Sequence, residues 1–194
     1  MKFPLQLSFK IIAIAPQISV TDAAGALKFY VKQKAFKLKE SVKVFADTAQ
    51  TRELYAIDAD RVLDFNAQYK FTARDGRTLG SLRRKGMRSL WSAKYDILVS
   101  GGQMLHINEE NPWIKVADAI FSDIPLVGLF SGYLFHPAYR VTRADGTQVL
   151  RVHKLSAFME GRYQIDSTAP MNEDEQETAL LSVFMMLLLE RMRG

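Results

Sequence analysis

With no cysteine among its 194 residues this chain has no thiolate nucleophile or metal ligand, and catalytic chemistry would fall to side chains such as histidine, aspartate and serine. The three histidines, His106, His136 and His153, stand far apart and form no HExxH-type pair, so neither their number nor their spacing suggests a metal site. Asp58, Asp60 and Asp64 have the look of a calcium loop. Such a loop needs glycine at its sixth position, where Leu63 stands, and glutamate at its twelfth, which is missing. Ser131 lies in Gly128-Leu129-Phe130-Ser131-Gly132, whose spacing differs from the GxSxG turn that exposes a serine nucleophile. No Walker loop or GxGxxG motif is present. No catalytic residue is assigned, and no metal or cofactor is implied.

Binding chemistry is better represented. Arg83, Arg84, Lys85 and Arg88 form a basic cluster with Leu90 and Trp91 close behind, and Lys32, Lys34, Lys37 and Lys39 form a second. Cations gathered in this way suit an anionic headgroup, each contributing roughly 1 kcal/mol near a negative surface. They also suit plain solvated strands, where lysine discourages edge pairing. A third candidate is apolar. Asn111 and Pro112 open a helix whose residues Trp113, Val116, Ile120, Phe121 and Ile124 share one face, followed by the glycine-punctuated run through Leu126, Leu129 and Phe130. That segment is a candidate contact with a membrane or a partner, or else a plug and a buried strand.

The elements that must position these residues are strands. Turn signals recur at Asp22 to Gly25, Asp47-Thr48, Asp75-Gly76, Gly101-Gly102 and Asp145-Gly146, flanked by β-branched and aromatic runs, as in a meander of hairpins. Two hairpins match at an offset of 70 residues. Tyr69-Lys70-Phe71-Thr72-Ala73-Arg74-Asp75-Gly76 aligns with Tyr139-Arg140-Val141-Thr142-Arg143-Ala144-Asp145-Gly146. Beyond the turns Leu79, Leu82, Arg83 and Arg84 match Val149, Val152, His153 and Lys154. With a two-residue slip, Tyr95-Asp96-Ile97 matches Tyr163-Gln164-Ile165. The expected organisation is one domain over 1–194, with related halves at about 26–100 and 101–170 closing into an antiparallel barrel that leaves no free sheet edge. The short apolar run Ile11 to Ala15 falls below the length of a signal-peptide core and reads as a strand.

The barrel must close around something, and the chain supplies it. From Ala179 to Leu189 only Ser182 interrupts an apolar run, and eleven residues at helical pitch cover every face. The run is too short for a membrane span, which needs about 20 residues. A helix over 173–193 is expected to thread the barrel. Asn172 and Glu175 form its capping box, acidic residues stand at its positive end, Arg191 and Arg193 at its negative end, and both ends reach water. Burying about ten of its large apolar side chains would contribute on the order of 15–30 kcal/mol before entropy.

The paired hairpins, the Asn111-Pro112-Trp113 segment, the Gly128-to-Tyr133 stretch leading to His136-Pro137 and the closing apolar helix together resemble the LURP-one-related group of the tubby C-terminal-like superfamily, which includes the phospholipid scramblases. The resemblance runs from about Ile18 to Arg193. It implies a mainly β protein: a closed antiparallel barrel of about twelve strands around a central C-terminal helix, with no established catalytic residue. Tubby proteins bind phosphoinositides through basic surface residues, and scramblases act at membranes. None of their individual binding residues is carried over to this chain. The proline-rich region and lipid-modified cysteines of scramblases have no counterpart here.

Net charge is +5, unevenly distributed: residues 1–97 hold 18 Lys and Arg against 9 Asp and Glu, and residues 98–194 hold 8 against 12. The leading expectation is therefore a non-enzymatic, cytoplasmic domain, peripheral to a membrane if its ligand is lipid. It would bind an anionic membrane lipid or a partner protein through its outer surface. The rivals are an enzyme acting on a phosphorylated or lipid-derived substrate in a surface groove, and a structural or regulatory interaction protein. Nucleic acid ranks last, because cations and aromatics interleave only at Arg88 to Trp91.

Overall fold

A computed structural model describes residues 1–10, 17–32, 41–61, 67–85, 94–110, 138–155 and 160–191. Twelve strands and one helix lie among them. In chain order they are β1 (Leu5–Lys10), β2 (Gln17–Thr21), β3 (Leu27–Lys32), β4 (Val42–Phe45), β5 (Glu53–Ala59), β6 (Gln68–Ala73), β7 (Thr78–Arg84), β8 (Lys94–Val99), β9 (Met104–Glu109), β10 (Ala138–Arg143), β11 (Gln148–Leu155), β12 (Glu160–Ser167) and α1 (Glu173–Arg191). Each strand pairs antiparallel with its sequence neighbours, and β1 pairs with β12 to close the barrel. The run Ile11 to Ala15 and the helix expected from Asn111 lie outside the described residues.

Strand alternation explains the wall. In β6 the buried Tyr69 and Phe71 alternate with the exposed Gln68 and Lys70, and in β9 Leu105 and Ile107 are buried between His106 and Asn108. Apolar side chains therefore point inward and polar ones outward, the reverse of a lipid-embedded barrel with its outward apolar band. No helix among the described residues is long and apolar enough to cross a membrane.

The two hairpins matched by sequence also match in geometry. In β6–β7 the register shifts between Phe71 and Thr72, which face Gly80 and Thr78; in β10–β11 it shifts between Val141 and Thr142, which face Leu150 and Gln148. Both turns place glycine in the left-handed region, Gly76 at φ 86° and Gly146 at φ 89°. In both, an aspartate accepts the N–H two residues on, Asp75 from Arg77 at 2.9 Å and Asp145 from Thr147 at 2.8 Å. Hairpins β2–β3 and β4–β5 carry a similar shift beside their turns. Such bulges sharpen the local twist that a closing wall needs.

Helix α1 fills the barrel. Every residue from Thr178 to Leu188 is buried, as a run with no polar face requires. Its two interior hydroxyls are satisfied: Thr178 donates to the Leu79 carbonyl at 3.0 Å and Ser182 to the Thr178 carbonyl at 2.7 Å. The helix runs close against β7 because Gly80 offers no side chain. A Cβ there would stand 2.2 Å from the Leu98 carbonyl oxygen and 2.7 Å from the Thr178 methyl.

The first turn of α1 meets water through Asn172 and Glu173, both exposed, while Glu175 turns inward. Asn172 does cap it, accepting the Glu175 N–H at 2.8 Å. Glu175, however, is 2% exposed and does not complete the box. Its carboxylate takes a two-pronged bond from Arg143 at 2.7 and 2.9 Å, and a third from the Gln103 amide at 2.8 Å. A wall arginine outcompetes the local backbone because it brings a full charge to a carboxylate removed from water. Asp174 pairs with Arg77, and Glu177 accepts the Tyr55 hydroxyl at 2.8 Å.

Candidate functional site

With the interior occupied, accessible chemistry lies on the outer wall or at the rims. Strand parity divides the basic triad of β7. Leu82 points inward, so Arg83 and Lys85 face out while Arg84 turns in. Arg84 is 8% exposed, and its guanidinium carbon lies 5.9 Å from the centre of the Tyr95 ring. Its three sequence-adjacent charges are thus no single patch. Arg83 stands between Gln68 and Asp96 in the register, and the Lys85 ammonium lies 3.8 Å from the Asp96 carboxylate. Lys32 is exposed at the end of β3, four strand positions from β7, so the wall does not gather it with Arg83 and Lys85. Lys34, Arg88, Trp113, Ile120, Leu126, Leu129 and Phe130 lie outside the described residues.

The histidines separate likewise. His106 Nδ1 is 2.7 Å from Asp96 Oδ1, and His153 Nδ1 is 3.4 Å from Asp166 Oδ2, while His136 lies outside the described residues. Among the described residues no three His, Asp or Glu converge as a metal site would require. Asp60 is committed to its own loop. The Gln68 N–H donates to it at 2.9 Å and Arg61 lies beside it, and together these hold its carboxyl below the ordinary range.

Sequence reasoning missed a polar cluster inside the barrel, at the end where α1 leaves it. Tyr95 donates to Glu190 at 2.8 Å, and the Arg191 guanidinium carbon lies 5.0 Å from the centre of the Phe9 ring. Burial, followed by the nearby Glu190 and Glu109 carboxylates, pushes the Tyr139 phenol far up. At the opposite end burial and the bond to Glu177 do the same for Tyr55. Both phenols stay protonated at neutral pH, and Tyr55 donates its proton to Glu177. No sequence signal marks the cluster, because its polar members come from β8, β9, β10 and α1.

Two hollows indent the outside. A groove of about 550 Å³ crosses β5 to β8, lined by Asp58, Asp60, Lys70, Ser81 and Leu98 among others. Leu98, 43% exposed, faces Met104, 37% exposed, across β8–β9, which makes one apolar pair on a polar wall. A shallower dish at the rim of tight turns is lined by Arg52, Arg74, Arg77, Glu53, Asp75 and Glu177, whose charges cancel.

Residues 27–125 match the protein family described as LURP-one-related. No curated protein matches the sequence. Among solved structures the chain is similar to a porin-like protein from Bacteroides uniformis, at 8% identity over 85% of this chain and 95% of that one. The TM-score of 0.24 is too low to carry any argument.

Proposed function

Because the chain belongs to the LURP-one-related family and fills its barrel with its own helix, we propose that it is a non-enzymatic binding domain taking an anionic membrane lipid on its outer wall. The observation that carries this reading is the outward placement of Arg83, Lys70 and Lys94 on the adjoining strands β6 to β8, with Lys85 just past the end of β7. A barrel that binds a small molecule inside must keep a cavity, and here that space is packed with leucine, methionine and phenylalanine. Cations held on a rigid wall act at short range and are screened by salt. Co-sedimentation with vesicles tests the reading. Protein should pellet with anionic vesicles at low salt, stay free with neutral ones, and pellet less after Arg83→Glu with Lys85→Glu. Pelleting that is absent, or unchanged by the reversal, would overturn it.

A partner protein is the second reading, favoured by the exposed Leu98 and Met104 pair beside the groove. Replacing both with Asp would weaken such a partner and leave vesicle binding intact.

A further inference from the structure

One row of outward residues crosses five strands. The Lys85 N–H donates to the Lys94 carbonyl, Lys94 faces Asn108, Asn108 faces Arg140, and Arg140 faces Arg151. Four cations and one amide thus share a line around the wall, although they come from scattered parts of the sequence. The row contains two cross-strand pairs of like charge, Lys85 with Lys94 and Arg140 with Arg151, an arrangement that weakens strand pairing. Its outer members have partners. Lys85 lies near Asp96, and Arg151 makes a two-pronged bond with Glu110 at 2.9 and 3.0 Å. Among the described residues no carboxylate pairs with Lys94 or Arg140, both exposed. They stand two strand steps apart, roughly 10 Å at the backbone, with half-buried Asn108 between them. Both side chains are long enough to lean over Asn108 from opposite sides.

We propose that Lys94, Asn108 and Arg140 form a seat for a phosphate monoester, which rests on the reading of the outer wall as an anion-binding surface. An ammonium, a side-chain amide and a planar guanidinium fork approach from three directions. A tetrahedral phosphate can answer all three with separate oxygens, whereas a flat carboxylate offers two oxygens in one plane. The seat draws Lys94 from the basic half of the chain and Arg140 from the acidic half, so net charge by half does not reveal it.

Inorganic phosphate and vesicles containing phosphatidic acid distinguish a free phosphate from a lipid headgroup. Phosphate should shift the Asn108 side-chain amide resonance of the full chain. Phosphatidic acid vesicles should bind at least tenfold more weakly to Lys94→Glu with Arg140→Glu, and phosphatidylserine vesicles should bind the unaltered chain more weakly than phosphatidic acid ones. Arg140→Glu gives Arg151 an opposite charge to face, so the fold should survive; Lys94→Gln with Arg140→Gln, showing the same loss, is the second variant. A phosphate-induced shift without pelleting keeps the seat and overturns the lipid reading. Pelleting independent of Lys94 and Arg140, with no shift, overturns the seat and leaves the lipid reading standing. Absence of both overturns both.

Discussion

The hairpins β6–β7 and β10–β11 share a turn, a bulge and a register, yet they meet the central helix in different ways. At the position where the first has Gly80, the second has Leu150. The glycine lets α1 lie almost against the backbone of β7, and the leucine, fully buried, fills space on the wall four strands away. Where the first has Ala73, the second has Arg143, whose guanidinium grips the buried Glu175. The first holds the helix instead through Arg77 and Asp174, both largely exposed. One backbone plan thus supplies a close wall and a distant, charged one, and the helix sits off centre as a result. Two similar hairpins can close a barrel, but dissimilar ones are needed to set the depth and rotation of what lies inside.

Removing the helix should erase the distinction altogether. A chain ended at Met171 loses the partner of both hairpins and the centre of its core, and it should show no cooperative unfolding transition by calorimetry. A soluble fragment that melts sharply would break the comparison at its root.

Smaller in effect is the loss of one grip. Arg143→Ala leaves the buried Glu175 carboxylate without its counter-charge and should clearly lower the urea midpoint. Arg77→Ala removes an exposed pair and should hardly move the urea midpoint. Equal losses would show that the two hairpins hold the helix alike.

The Gly80 and Leu150 positions separate the walls by volume. Gly80→Ala forces a methyl against a carbonyl oxygen that β-pairing holds in place, so a loss of about 1–3 kcal/mol is expected from overpacking. Leu150→Ala opens a cavity and should cost about 2–5 kcal/mol, according to how far the wall relaxes. If Gly80→Ala were neutral in a denaturation series, the crowding of Gly80 by the Leu98 carbonyl and the Thr178 methyl would be wrong.

The weakest expected effect concerns acid. The Thr147 N–H and the Thr147 hydroxyl hold the Asp145 carboxyl below its usual range, so its contribution to stability is fully present above about pH 4 and is lost as pH falls further. Asp145→Asn should lower the melting temperature slightly at neutral pH and flatten its acid dependence. A melting curve that shifts equally at pH 7 and pH 2.5 would contradict the assignment.

The barrel and its helix were legible because each rests on a local signal. An apolar run without a polar face can only be surrounded, and Asp-Gly turns between β-branched runs can only be hairpins. The offset of 70 carried even the bulge, since Thr72 and Thr142 occupy it alike. Surface chemistry was less legible. Arg83, Arg84 and Lys85 look continuous in sequence, and only the inward direction of Leu82 separates them. Lys94 and Asn108 are symmetric about the Gly101-Gly102 turn, so their pairing could be counted. The alignment of Arg140 with them spans the long connection after Glu110, and no residue count fixes a register across it. Glu175 was read as a partner of the local backbone because Arg143 is remote in sequence.

Every strand of the wall precedes the helix in the chain, and β1 finds its second neighbour only in β12. At the roughly 5–20 residues per second of synthesis, the earliest strands wait on the order of ten seconds for the last strand and the core. During that interval Phe9, Val20 and Phe71 line an open trough rather than a sealed interior. Newborn chains would therefore expose apolar strand faces to aggregation until the helix arrives.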